Sequence, residues 1–351
     1  MKKTSLIFAA LFATTFAMAQ NTATTTQNGN GNNSETTQSG SNNASTEQVG
    51  NGNEALQSQS GNNQASILSV GDENQANQFQ TGTGNQASIS QVGLPSRTDV
   101  SNNNFATQIQ DGQGNNASIS QEDKGNGLAF QEQLGDNNSA SIFMRNPWGA
   151  SEPGNSSVQL QDGDRNRASV SIFNGAENSS SQFQEGDDNW SLVNQTGGGN
   201  SATHGQFGLD NYAFSAQTNG GSTVSISQEG DENIATTTQD GTGNFASVSQ
   251  TGDGNNTGLV PYWNEADRGV IQTGNDNIAS LSQGGNENNH LIRQTGDDNL
   301  ALVFVTGDSN IGLILQTGNG NDALLNQTGS ANNATMIQNG NMNVASISQG
   351  N

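Results

Sequence analysis

The chain has two histidines, His204 and His290, and no cysteine, so any general base or soft metal ligand would have to be built on one of those imidazoles. Neither is placed for it. Both fall on positions of a repeating pattern, His290 where an alanine recurs and His204 where an aliphatic residue recurs, and both read as satisfied core residues. Serine and aspartate are abundant but stand as repeat filler with no base at a fixed offset, so neither catalysis nor a cofactor is expected. Acids follow a glycine at Asp72, Asp136, Asp164, Asp187, Asp231, Asp253, Asp297 and Asp308. Acidic turns hold calcium in nonapeptide β-rolls, but those need another period and denser ligands. Asp187, Asp231, Asp253, Asp297 and Asp308 read instead as gatekeepers that slow premature aggregation, and no metal is expected.

The groups that do recur at a fixed spacing are amides. Glutamine or a substitute falls at 272, 283, 294, 305, 316, 327, 338 and 349, an unbroken spacing of eleven. The unit is Q-x-G-x-x-N-x-A-x-φ-x-Q, with φ aliphatic. It appears as Gln228, Gly230, Asn233 and Ala235, then as Gln239, Gly241, Asn244, Ala246, Val248 and Gln250. It returns as Gln272, Gly274, Asn277, Ala279, Leu281 and Gln283, and as Gln294, Asn299 and Ala301. Further copies are Gln316, Gly318, Asn321 and Ala323; Gln327, Gly329, Asn332, Ala334 and Gln338; and Asn343, Ala345 and Gln349. Side-chain amides that lie over one another can bond along a stack, as they do in cross-β assemblies.

An eleven-residue helical repeat is excluded, because every unit carries a Gly and an Asn, both poor helix residues, and the apolar positions form no helical stripe. From the Asn onward every second residue is conspicuous, as in Asn277, Ala279, Leu281 and Gln283, which is strand periodicity. Each unit is therefore a short strand followed by the turn x-G-x-x-N, where Gly supplies positive φ and Asn tolerates left-handed backbone. One such strand cannot bury its face alone, so units must stack into an all-β solenoid. Numbered from Gln27, the units starting at Gln91 and Met144 carry long insertions, those at Gln121 and Ile172 carry one extra residue, and all are odd-numbered. The one-residue deletions at Gln38 and Gln59 are even-numbered. That segregation predicts a 22-residue turn of two strands and two arcs, one arc tolerating excursions and the other kept tight. The stretch Pro261 to Arg268 reads as a substituted arc of an ordinary unit, because Gln250 to Gln272 is 22 residues. The expected stack is about 14 turns, with Ala279 over Ala301, Leu281 over Val303 and Asn277 over Asn299.

Composition bounds the rest. Only 29% of residues are hydrophobic and 45 are glycine, which without the repeat would mean disorder. The formal charge of -23 excludes a nucleic-acid partner and implies repulsion between copies. Residues 1–19 have the Lys2-Lys3 start, short apolar run and Ala17-Met18-Ala19 end of a secretory signal, too short to span a bilayer, so no membrane insertion is expected. The expected organisation is a signal at 1–19, a short polar segment at 20–26 and the solenoid at 27–351, with arc insertions near 93–103 and 145–154.

The repeat resembles that of the curlin family, the secreted subunits of bacterial curli amyloid, written S-x5-Q-x-G-x2-N-x-A-x3-Q. Gln239, Gly241, Asn244, Ala246 and Gln250 match its Q, G, N, A and Q, and Gln327, Gly329, Asn332, Ala334 and Gln338 match again. Asn233 and Asn277 stand where the family pattern has Ser, so both arcs carry G-x-x-N. The resemblance implies a major fibre subunit that is kept disordered by a periplasmic chaperone and exported through an outer-membrane curlin pore. Outside the cell it would polymerise on a nucleator, for biofilm matrix, adhesion and colonisation. The final residues Ile347 to Asn351 stop in mid-pattern, and an end without a contrasting cap would expose backbone groups that another copy can pair. The alternative is a monomeric β-solenoid acting as an adhesin or ice-binding protein.

Overall fold

The structure is a computed structural model that describes residues 20–93, 103–123, 126–146, 154–256 and 269–351. The expected secretory signal, the tips of the two predicted insertions and the stretch Pro261 to Arg268 lie outside these residues. Among the described residues no helix is long and apolar enough to cross a membrane.

Alternation of small or apolar with polar residues gives strands with one buried and one solvated face, and the buried faces decide the fold. Ile278–Gly284 buries Ala279, Leu281 and Gln283 and leaves Ile278 exposed and Ser280 and Ser282 half-buried. The strand pairs in parallel with Leu300–Thr306, two strands further along the chain, with Ala279 on Ala301 and Leu281 on Val303. Asn289–Thr295 pairs likewise with Ile311–Thr317. The chain thus winds as a parallel β-solenoid of about 14 turns, about 22 residues each, with one column of strands facing the other across a thin core. There are 26 strands among the described residues, and two of them, Glu54–Val70 and Gln75–Val92, run through an arc and serve both columns. At ~4.8 Å per rung the stack is about 65 to 70 Å tall.

Three details differ from expectation. The first strand is Thr22–Asn28, paired with Asn43–Val49, so the coil begins inside the segment expected to precede it. The span from Gln250 to Gln272 is not two ordinary units: Gln239 lies under Gln272 and Gln250 under Gln283, so the span contributes one rung and the rest is an insertion. It follows the column that carries the deletions, so both arcs admit long excursions. Finally, the left-handed residues of a turn are the Gly and the residue before the Asn, as in Gly274 (φ 113) and Asp276 (φ 54), and not Asn277.

The φ position also splits the core. In one column of the N-terminal half it is glutamine: Gln57, Gln78, Gln108, Gln131, Gln159 and Gln182, all buried. Beyond His204 the same position is Ile226, Val248 and Leu281. Two apolar clusters result, one from Ala55 to Ala202 and one from Ala213 to Met336.

Candidate functional site

The site is the set of rungs itself. Each glutamine that ends a strand is held inside by its own strand alternation, and its carboxamide lies along the stack. Gln239 donates from Nε2 to Gln272 Oε1 (2.9 Å), Gln272 to Gln294 (2.9 Å), Gln294 to Gln316 (2.9 Å) and Gln316 to Gln338 (2.8 Å). In the other column Gln228 donates to Gln250 (2.9 Å), Gln250 to Gln283 (2.9 Å) and Gln327 to Gln349 (3.0 Å). The second amide hydrogen goes to a backbone carbonyl, as from Gln272 to Asn277 O and Phe245 O. Buried amides left unpaired cost ~1–3 kcal/mol each, so repetition is what makes a polar core tolerable.

Asparagine closes the arcs. Asn277 gives its backbone N–H (3.0 Å) and its Nδ2 (3.2 Å) to Asn244 Oδ1 below, and gives Nδ2 to Gly296 O above (2.7 Å). Asn299 repeats this on Asn277 and Gly318, and Asn321 bonds to Asn299 and Asn343 to Asn321. Asn233 receives Asn255, and Asn332 donates to Asn310. The carbonyl that accepts from Asn belongs to the repeat glycine, whose backbone runs close under the glycine of the next turn. A Cβ on Gly274 would collide with the Gly296 carbonyl, and the same holds at Gly230, Gly241 and Gly318 with the glycines above them, while at Gly329 it would strike Asn351. Ala235, Ala246, Ala279, Ala301, Ala323 and Ala334 are buried between the arcs and the aliphatic residues Val248 and Leu281, while Ala345 in the last rung is half-buried.

The acids after glycine have a structural partner that the sequence did not suggest. Asp297 Oδ1 accepts the backbone N–H of Asn275 (2.8 Å), and Asp187, Asp231, Asp253 and Asp308 accept those of Asp164, Leu209, Asp231 and Asn286. They are half-paired charges on the arc, not free ones. Among the described residues no group of three or more His, Cys, Asp or Glu could hold a metal ion.

Both histidines mend a break in an amide ladder. The φ-position glutamines end where Gln182 donates to Ser191 Oγ (2.8 Å), and His204 spans from Ser191 Oγ (2.9 Å) to Ser215 Oγ (3.0 Å). At Val305 the end-of-strand ladder lacks an amide. His290, from the facing column, fills the gap: its Nδ1 lies 3.0 Å from Gln283 Nε2 and its Nε2 lies 2.6 Å from Gln327 Oε1. Since the first group donates and the second accepts, the ring is neutral with its proton on Nε2. Gly312, one turn above His290, leaves room for it, because a Cβ there would strike the ring. Burial pushes the pKa of His204 down to about 3 and that of His290 down to about 4.

Sequence reasoning missed the φ-position glutamines and the link between Val305, His290 and Gly312. The first had a signal: x-Q-x-Q endings recur in alternate units only, at Gln57, Gln78 and Gln108.

A parallel solenoid whose rungs are joined by side-chain amides is a repeat-built structural protein. The model of the curlin associated repeat matches residues 230–259 and 318–350, so the chain carries curlin repeats in its C-terminal region. No curated protein matches the chain.

Proposed function

We propose that this protein is the secreted subunit of a curli-like extracellular amyloid fibre, built by head-to-tail stacking, and that it serves matrix formation, adhesion and colonisation without catalysis. One observation carries this reading: the ladders have a direction. In the glutamine–glutamine rungs Nε2 donates toward the later turn, and in the buried asparagine ladder Oδ1 accepts from it. The two faces of such a stack are therefore complementary. Gln338 and Gln349 on one face can donate to Gln27 and Gln38 on the other face of a second copy, as Gln316 does to Gln338 within the chain. Parallel backbone pairing continues in the same register. Export through an outer-membrane pore, a periplasmic chaperone and a nucleator follow from likeness to curlins, and they are part of the proposal.

The test uses residues 20–351 diluted from denaturant and followed by thioflavin fluorescence and electron microscopy. A lag that fibre fragments abolish is the expected result. A folded β-rich monomer that never elongates would overturn the reading in favour of a monomeric adhesin.

A further inference from the structure

The two apolar clusters are separate, one ending at Val193 and Ala202 and the other beginning at Ala213 and Val224. Two turns lie at that boundary: Ser179–Glu185 with Trp190–Gly198, and Ser201–Phe207 with Tyr212–Gly220. Their inward positions hold Ser180, Gln182, Ser191, His204 and Ser215, and Val193 is the one aliphatic side chain larger than alanine among them. The turn below supplies Val170 and Ile172, and the turn above Val224 and Ile226. Among the described residues the first turns, with Thr25, Thr36 and Thr46 at the φ position, are as poor, but they lie at one end of the stack and not between two apolar blocks. Hydrogen bonding at the boundary is also incomplete. Ser157 Oγ, Ser180 Oγ and Gln195 Oε1 are buried without a partner. Ser157 and Ser180 stand one over the other where the repeat has alanine, and Gln195 lies over Ile172, which has no amide to donate. Outside, both aromatic ring pairs among the described residues bridge these same turns: Phe183 against Phe207 with centroids 5.4 Å apart, and Trp190 edge-on to Tyr212 at 5.2 Å. The strand-end ladders also run through, from Gln184 to Gln206 (2.8 Å) and from Gln195 to Gln217 (3.0 Å).

We infer that this polar seam is an opening plane: the stack is two blocks, and the two turns between them part and re-close while both blocks stay folded. In a solenoid each turn contacts only its neighbours, so stability is a sum of turn and interface terms, and a weak interface uncouples what lies on either side. A buried polar atom without a partner costs enough to shift a local opening equilibrium about tenfold. These turns carry such atoms and have little apolar burial to offset them. The ring contacts and glutamine ladders fix the register to which the parted turns return. The inference applies to a single folded chain and to a filament alike, and it does not depend on the fibre proposed above.

The experiment is hydrogen exchange on residues 20–351, as folded chains or as filaments, read peptide by peptide by mass spectrometry. Backbone amides of Ser179–Glu185 and Ser201–Phe207 should exchange at least ~10-fold faster than those of Leu128–Leu134 below and Phe245–Thr251 above in the same column. Equal protection along the column overturns the inference. Ser157→Ala with Ser180→Ala restores the repeat residue, removes two unpartnered hydroxyls and should slow exchange in the seam alone by about tenfold. Trp190→Ser, at a position 44% exposed, removes one outer ring contact and should speed exchange there severalfold. A change spread evenly over the whole column in either variant means one cooperative block and overturns the inference as well.

Discussion

Replacing His290 with alanine restores the residue that the repeat carries at this position, so pattern alone predicts a stabilising or neutral change. The geometry predicts the reverse. His290→Ala leaves Gln327 Oε1 without its 2.6 Å donor, and Gln283 Nε2 keeps Asn256 and Asn288 as partners. One orphaned buried acceptor costs ~1–3 kcal/mol. Loss of the ring's volume beneath Gly312 adds a cavity term, so a total of ~2–4 kcal/mol is expected. Val305 is 3% exposed and stands where the column elsewhere has glutamine. In the alanine background, Val305→Gln rebuilds the ordinary rung from Gln283 to Gln327 and should recover most of that loss. With His290 still present, Val305→Gln forces an amide against the ring and should destabilise. The two changes are therefore coupled by more than ~1 kcal/mol, well above the error of additive sites. Hydrogen exchange of the backbone amides in Asn289–Thr295 and Asp322–Thr328 reads this locally. Protection unchanged in His290→Ala, or no recovery in the double variant, would refute the bridging role.

Four further outcomes follow. Burial holds His204 and His290 neutral down to about 3 and about 4, against 6.5 for a free histidine. The unfolded chain takes up protons first, so stability is complete above about pH 6.5 and falls as pH drops toward those values. By pH 5 the loss is ~2 kcal/mol per histidine, and exchange protection at pH 7 and pH 5 checks it. Gly274→Ala meets both a positive φ and the Gly296 carbonyl, and it should cost at least ~2 kcal/mol, seen as a lower denaturant midpoint. Asp297→Asn should leave stability nearly unchanged because Asn Oδ1 still accepts from Asn275, while Asp297→Ala loses ~1 kcal/mol. If the acids also act as gatekeepers, the five-fold Asp→Asn variant at 187, 231, 253, 297 and 308 polymerises faster at low salt and loses its salt dependence. An unchanged lag would refute that part.

The coil was legible because eleven-residue spacing and two-residue alternation coincide in units such as Asn277 to Gln283. Two columns were legible because each kind of small length change keeps to its own arc, expansions to one and deletions to the other. What misled was a length. An insertion that brings Gln250 to Gln272 to 22 residues keeps the phase of the repeat, so it cannot be told from a degenerate unit by counting. The arc conformation was misassigned because Asn is the residue best known for left-handed backbone, whereas here its side chain is needed inside and its variable neighbour takes the strain. The bridging by His290 was out of reach for a different reason. It joins residues from facing columns whose separation, 37 along the chain, is no multiple of the repeat.

The common direction of the amides has a consequence at the tips. Inverting a copy would bring Nε2 onto Nε2 and Oδ1 onto Oδ1 and would turn parallel strand pairing antiparallel, so every rung of the joint would be mismatched at once. A filament made this way is an arrow. Its two tips offer different chemistry, incoming molecules meet them with different rates, and a peptide shaped to block one tip leaves the other open.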